Sequence, residues 1–339
     1  MKTSQLKAIS AKFKTNNNLP ILNSILIKEN KGIITDLDTT IVIENFGVKS
    51  DTPICIDRKE LLSVLESLPD AKVTTGDNFG LLFTQGNDTI TLQGDDYNDF
   101  PTKVLSSTDE YVFTGNVTPE LFKQLETAVK FVSKDEVRPD MTTVYVYDKI
   151  VSTDAHKMYF EPVAEPLDKQ ILVTPKTVQL LKICGADKTY FSIAISKEYL
   201  SFTSADIIIY QRIIDERYPN FQAVIPTKND IICEFDVKML TDKLKMAVKF
   251  ANVTTHKVEL HFNGKIGIKS DDIEFSREYS SSIDYLDMIG EIEIGFNGNF
   301  LLEILANCDK TAMIEMSEPN KSAIIDGKYL IMPVMLKNY

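Results

Sequence analysis

The phrase Ala128-Val129-Lys130-Phe131 returns at Ala247-Val248-Lys249-Phe250, and Ala11-Lys12-Phe13 stands about as far before the first copy. A phrase repeated at roughly a third of a 339-residue chain restricts the fold more than any composition figure. A chain of this length exceeds one ordinary core. A repeat of that period implies several copies of one domain.

Each phrase falls in a helix-like stretch: residues 4–14 (SQLKAISAKFK), 118–134 (TPELFKQLETAVKFVSK) and 236–250 (DVKMLTDKLKMAVKF). Thr118 and Asp236 are placed as N-caps, and Pro119 at a first helical position. Leu121, Leu125, Ala128 and Val132 fall at i, i+4, i+7 and i+11, as do Leu240, Leu244, Ala247 and Ala251. That spacing gives each helix one apolar stripe. Alternating strand-like runs follow, with Asn263-Gly264 as a hairpin turn. A second helix pattern then appears in each third (DRKELLSVLESL, TPKTVQLLKICG, NGNFLLEILANC), and strands return after it. The reading is an α+β chain of three repeated domains, residues 1–115, 116–231 and 232–339. Each has two helices packed on antiparallel sheets.

The chain carries a formal charge of −12, yet the stretches that hold the phrase are basic. Residues 1–14 carry +4, residues 119–134 carry +1 and residues 236–249 carry +2, so the remainder is near −19. A solvated helix face is the plain reading of such lysines. The repeat suggests a sharper one. Equivalent helices turned to one axis would line it with Lys7, Lys12, Lys14, Lys123, Lys130, Lys134, Lys243, Lys245 and Lys249. An acidic exterior would repel a polyanion that this lining attracts without reading its sequence.

Other classes find little support. No apolar run is long enough to cross a bilayer, and the N-terminus lacks the apolar core of a secretory signal. No membrane role and a cytoplasmic location are expected. Cys55, Cys184, Cys233 and Cys308 are scattered without a CxxC pair, and there are three histidines. Reduced thiols, no metal and no cofactor are expected. Asp154 with His156 could mimic an acid/base pair, and Asp95-Asp96 or Asp271-Asp272 metal carboxylates. Paired Asp in such contexts is more often a turn, and no phosphate loop, nucleophile elbow or HExxH is present. A repeated protein-binding module without a DNA role is the other alternative.

Several strings carry a resemblance: LPIL at 19–22 followed by TDLDTTIVI, STDAHKM at 152–158, RYPNFQAVIP at 217–226, FNGNFLLEIL at 296–305 and YLIMPVML at 329–336. In this order and spacing the whole chain resembles the bacterial DNA polymerase III beta subunit, the sliding clamp, in a cellular or a phage-encoded form. That would put it at the bacterial nucleoid, or in host cytoplasm for a phage. The resemblance implies a non-catalytic processivity factor. Two subunits would form a head-to-tail, six-domain ring around double-stranded DNA. A clamp loader would open the ring, which would then tether the replicative DNA polymerase and other proteins bearing a clamp-binding motif. A eukaryotic-type clamp fits less well, since those chains usually hold two domains.

The resemblance also implies a partner-peptide pocket. Its residues here would be Met141, Thr153, Ala155, His156, Lys157, Met158, Pro219, Val224, Asn297, Phe300, Ser322, Leu330, Met332, Pro333 and Val334. Methionines suit a site that adapts to several partners. The chain departs from the family at Ala155 (usually glycine), Ala223 (basic), Phe300 (tyrosine) and Met335 (arginine). Asn16 stands where a basic residue is common, and Lys337-Asn338-Tyr339 extend the usual end.

Overall fold

A computed structural model describes residues 2–48, 50–76, 79–106 and 110–336. The three-residue extension at 337–339 lies outside them. The chain divides into two compact units. The first comprises Met1–Glu126, Val146–Asp148 and Val163–Asp215, and the second Thr127–Tyr145, Lys149–Pro162 and Glu216–Tyr339.

The first unit holds an eight-stranded antiparallel sheet. Its order is Ser50–Asp57, Ser24–Glu29, Lys31–Thr35, Thr39–Ile43, Ile207–Arg212, Tyr199–Ser204, Phe191–Ile195 and Val112–Val117. The seam between its two stretches of chain is Thr39–Ile43 against Ile207–Arg212, with Ile41 opposite Ile209. Thr39–Ile43 is buried along its whole length. It therefore reads as a continuous β-branched run rather than an alternating one. Helices Thr3–Ser10, Arg58–Ser67 and Pro175–Ile183 pack together in this unit, and Gln5 donates to the Ile183 carbonyl at 3.2 Å. A smaller sheet of Lys72–Thr75, Gly80–Gln85 and Asp88–Gln93 completes it.

The second unit repeats the plan. Seven strands run in the order Lys149–Thr153, Lys157–Pro162, Tyr329–Ile331, Ala323–Ile325, Thr311–Met316, Ile231–Asp236 and Asp287–Ile289. A five-stranded sheet runs Arg277–Ile283, Lys265–Asp272, Lys257–Asn263, Ile292–Asn297 and Pro333–Val334. Asn263-Gly264 makes the expected hairpin, with Asn263 opposite Lys265 and Gly264 at φ +64°. Helix Val237–Phe250 packs on this sheet and on helix Gly298–Leu305.

The helices begin where the caps predict. Thr118 Oγ1 accepts from the Leu121 N–H at 3.1 Å, and Asp236 Oδ1 from Met239 at 2.8 Å. Leu240, Leu244, Ala247 and Ala251 are all buried. Two helices end sooner than the sequence pattern implies, at Ser10 and Ala128. Lys12, Lys14, Lys130 and Lys134 thus follow helices instead of lying on them. Lys130 and Phe131 bond back three residues, to Thr127 and Ala128. That tighter turn swings Phe131 into the core against Tyr329 (5.4 Å) and Tyr159 (6.0 Å), and Val132, expected on the stripe, is only half-buried.

Candidate functional site

The site grows from the turn between strands Lys149–Thr153 and Lys157–Pro162, where Thr153 opposes Met158. Thr153 Oγ1 accepts from Ala155 N–H at 3.1 Å and donates to the Lys157 carbonyl at 2.9 Å. Asp154 Oδ1 accepts from the N–H groups of His156 (3.0 Å) and Lys157 (2.9 Å). Asp154 is thus a turn-forming carboxylate, not a partner for catalysis by His156. Ala155 lies at φ +73°, a region that costs a non-glycine residue about 1–2 kcal/mol. These side-chain bonds hold the turn without the glycine usual there.

Behind the turn Lys157 is buried, with 5% of its side chain exposed. Its ammonium pairs with Asp154 Oδ2 at 2.5 Å and Glu303 Oε2 at 3.1 Å. It also lies 5.7 Å from the Phe131 ring centre and 5.2 Å from that of Phe300. Two carboxylates and two ring faces replace the water that a buried cation gives up. On the outer side, His156 stacks on Phe300 at 5.4 Å with the rings 19° apart.

The sheet brings in the C-terminal residues. Met158 pairs with Leu330, Met332 N–H donates to the His156 carbonyl at 2.9 Å, and Ser322 Oγ donates to the Val224 carbonyl at 3.1 Å. Phe296 opposes Pro333, and Gly295 opposes Val334. A Cβ on Gly295 would come within 2.5 Å of the Val334 carbonyl oxygen, so this strand can approach only a glycine. Asn297, next in line, caps helix Gly298–Leu305 through Asn299 and Phe300 N–H groups. Val224 follows Pro219 in a short 3₁₀ turn, Phe221–Val224. The residues differ in role. Met141, Met158 and Leu330 are core, and Lys157 and Ser322 are buried. Thr153, Pro219, Asn297, Phe300, Pro333 and Val334 are half-buried, while Ala155, His156, Val224 and Met332 face outward.

Met141, Ala155, His156, Lys157 and Phe300 also line one cleft of about 780 Å³. The sequence reading missed the rest of its wall, including Phe131, Arg138, Asp154, Glu303 and Asn307. Phe131 had a signal, since it ends the repeated phrase. Glu303 and Asn307 had none.

The basic residues spread over both units. In the first, Lys7 pairs with Glu66 at 2.7 Å, Lys14 and Lys123 are exposed, and Lys12 is half-buried. In the second, Lys130, Lys134, Lys245 and Lys249 are exposed and Lys243 is half-buried. All four cysteines are free thiols, and burial pushes each up to about 12. Asp96 and Asp272 accept backbone N–H bonds two residues on, from Asn98 and Glu274, as turn residues do.

Comparison with known proteins agrees with this architecture. The family model for the DNA polymerase III beta subunit, C-terminal domain, matches residues 222–334. The beta sliding clamp of Chlamydia pneumoniae is 22% identical over 355 residues, spanning 98% of this chain and 96% of that protein. The beta sliding clamp of Caulobacter vibrioides is 24% identical over 352 residues, spanning 94% and 93%. Among solved structures, the DNA polymerase beta subunit of Streptococcus pyogenes superposes with a TM-score of 0.86 at 21% identity, covering 98% of this chain and 97% of that one. The Pseudomonas aeruginosa DnaN sliding clamp bound to griselimycin gives 0.83 at 20% identity, with the same coverage. The fold is therefore that of the sliding clamps, α+β proteins built from a repeated unit. Along nearly its whole length the chain is similar to the beta sliding clamps, and residues 222–334 match the C-terminal domain model of that family.

Proposed function

We propose that this protein is a non-catalytic processivity clamp. It encircles duplex DNA as a head-to-tail homodimer and tethers the replicative polymerase and other partners. They insert a short peptide into the apolar site around Met158, Val224, Leu330 and Met332. We further propose three equivalent domains, 1–115, 116–231 and 232–339, each contributing two helices. The order of the helices supports this division: Thr3–Ser10 with Arg58–Ser67, Pro119–Ala128 with Pro175–Ile183, and Val237–Phe250 with Gly298–Leu305.

One observation carries the partner reading. Residues from five separate stretches of chain meet around one turn and expose Val224 and Met332 beside a buried floor. Two apolar anchors buried there would contribute roughly 3–6 kcal/mol before ordering costs, which suits partners that exchange. For DNA, lysines that attract phosphate without reading base edges give a similar grip at every step. Because that grip weakens with salt, enclosure has to do the holding. A cytoplasmic site of action follows from the role; no helix among the described residues is long and apolar enough to cross a membrane.

The test is retention on DNA of different topology. Loaded by a clamp loader with ATP onto a nicked circle, the protein should stay bound through gel filtration. It should leave once a restriction cut linearises the circle. It should lengthen polymerase products on a primed circle and synthesise nothing alone. Equal retention on circular and linear DNA would overturn enclosure.

A further inference from the structure

The cleft beside the partner site holds cations that neither its folding nor its buried ion pair uses. Lys157 is neutralised within the wall by Asp154 and Glu303. Lys130 donates to the Asn307 side chain at 2.7 Å. Lys134 and Arg138, both exposed on the cleft's rim, form no ion pair among the described residues. Of the acids lining the cleft, Asp154 and Glu303 are taken up by Lys157, and Asp135 accepts from the Val137 N–H at 3.0 Å as part of its own turn.

The first unit shows that the fold does not require these charges. It carries the same segment, with Lys12-Phe13 ahead of Leu19-Pro20 where the second unit has Lys130-Phe131 ahead of Arg138-Pro139. Both segments end in a short 3₁₀ turn, Pro20–Asn23 and Pro139–Thr142. The second segment is one residue longer; counted from the phenylalanine, Asn16 stands where it has Lys134, and counted back from the proline, Leu19 stands where it has Arg138.

We propose that this cleft binds an acidic segment of a partner protein flanking the peptide held in the apolar site. The inference rests on the partner-site reading above and adds the charge of the ligand to it. The continuity is physical, since His156, Lys157 and Phe300 belong to both. The lining argues for a peptide over the duplex that the lysine pattern alone suggested for Lys130 and Lys134. It is concave and includes the half-buried Val132 and Phe300 and the exposed Ala306, apolar surface that side chains can cover and phosphates cannot. It also carries Asp135, Asp154 and Glu303, which would repel a phosphate backbone but leave room for single carboxylates to reach the rim cations.

The experiment measures binding of fluorescein-labelled peptides to the full-length protein by anisotropy. The probes share a Leu and a Phe as anchors and carry three Asp or three Asn, at either end. The wild type should bind one Asp peptide about three- to tenfold more tightly than its Asn twin, the range that two solvent-exposed ion pairs supply. In the double variant K134E/R138E that preference should vanish, while affinity for the Asn peptide stays unchanged. Equal affinity for Asp and Asn peptides in the wild type would overturn the acidic-segment assignment and leave the apolar site intact. Failure of every peptide to bind would overturn the apolar site as well. Loss of DNA retention in K134E/R138E, with peptide preference kept, would reassign the rim cations to DNA.

Discussion

Phe13 and Phe131, the ends of the first two repeated phrases, do the same work. Each presents a ring to a lysine that pairs with the aspartate of a neighbouring turn. Lys176 lies 3.8 Å from the Phe13 ring centre and pairs with Asp36, as Lys157 does with Phe131 and Asp154. The turns share three features. Asp36 Oδ1 accepts from Thr39 N–H at 2.9 Å, Leu37 lies at φ +80°, and Arg212 N–H donates to the Asp38 carbonyl at 2.8 Å. What differs is the outer wall: Asp38 and Arg212 stand where the second copy has His156 and Met332. The first copy is charged where a peptide would need apolar contact. Burial holds the Lys176 ammonium below its usual range despite Asp36. For Lys157→Ala, Asp154 loses its buried partner while Glu303, 56% exposed, returns to water. The expected loss is about 2–3 kcal/mol in urea unfolding, below the full cost of breaking a buried pair. Glu303→Gln should cost under about 1 kcal/mol. Equal small losses for both would refute the central role given to the lysine.

At the scale of elements, helix starts were legible because a cap is local: one side chain and two N–H groups. Asp57, not singled out in the sequence, caps in the same way: its Oδ1 accepts from Lys59 and Glu60 N–H at 2.8 and 3.1 Å. Helix ends were not, because distant partners set them. Helix Thr3–Ser10 stops where Arg58, 6% exposed, gathers the Ser10, Phe13, Leu22 and Asn23 carbonyls at 2.8–3.2 Å. Nothing in residues 1–14 announces an arginine some 45 positions on. Arg58→Lys keeps the charge but cannot span four acceptors. It should destabilise the protein by about 2–4 kcal/mol through buried carbonyls left unpaired. Lys59→Ala, next door and exposed, should change little. A thermal-shift comparison of the two decides it, and similar melting temperatures would show that Arg58 does not fix the helix end.

For the whole molecule, burial of ionisable groups sets an alkaline limit. All four thiols are pushed up to about 12 from 9.0, with burial the largest cause. The buried hydroxyls of Tyr159, Tyr218 and Tyr329 are raised as well. The folded state therefore keeps protons that the unfolded chain releases above pH 9, so stability must fall from about pH 9 to 12. Well below pH 8 these groups are neutral in both states and contribute no slope. Unfolding midpoints in urea across pH 7–11 test this: a decline should begin near pH 9 and be shallower in Cys233→Ala. A flat profile to pH 11 would contradict it.

The sequence by itself determined the repeat, the α+β class, the apolar stripes, the caps and the hairpin. Apart from the repeat, which is read by comparing distant stretches, each depends on residues within a few positions of one another, and the periods of helix and strand act over that range. The tertiary structure decided where helices stop, which lysines remain unpaired, and which stretches share a site. It seats Glu303 against Lys157, Ser322 against Val224 and Met332 against His156. Those contacts depend on sheet register and helix packing between segments more than 90 residues apart, and no local pattern encodes such a pairing.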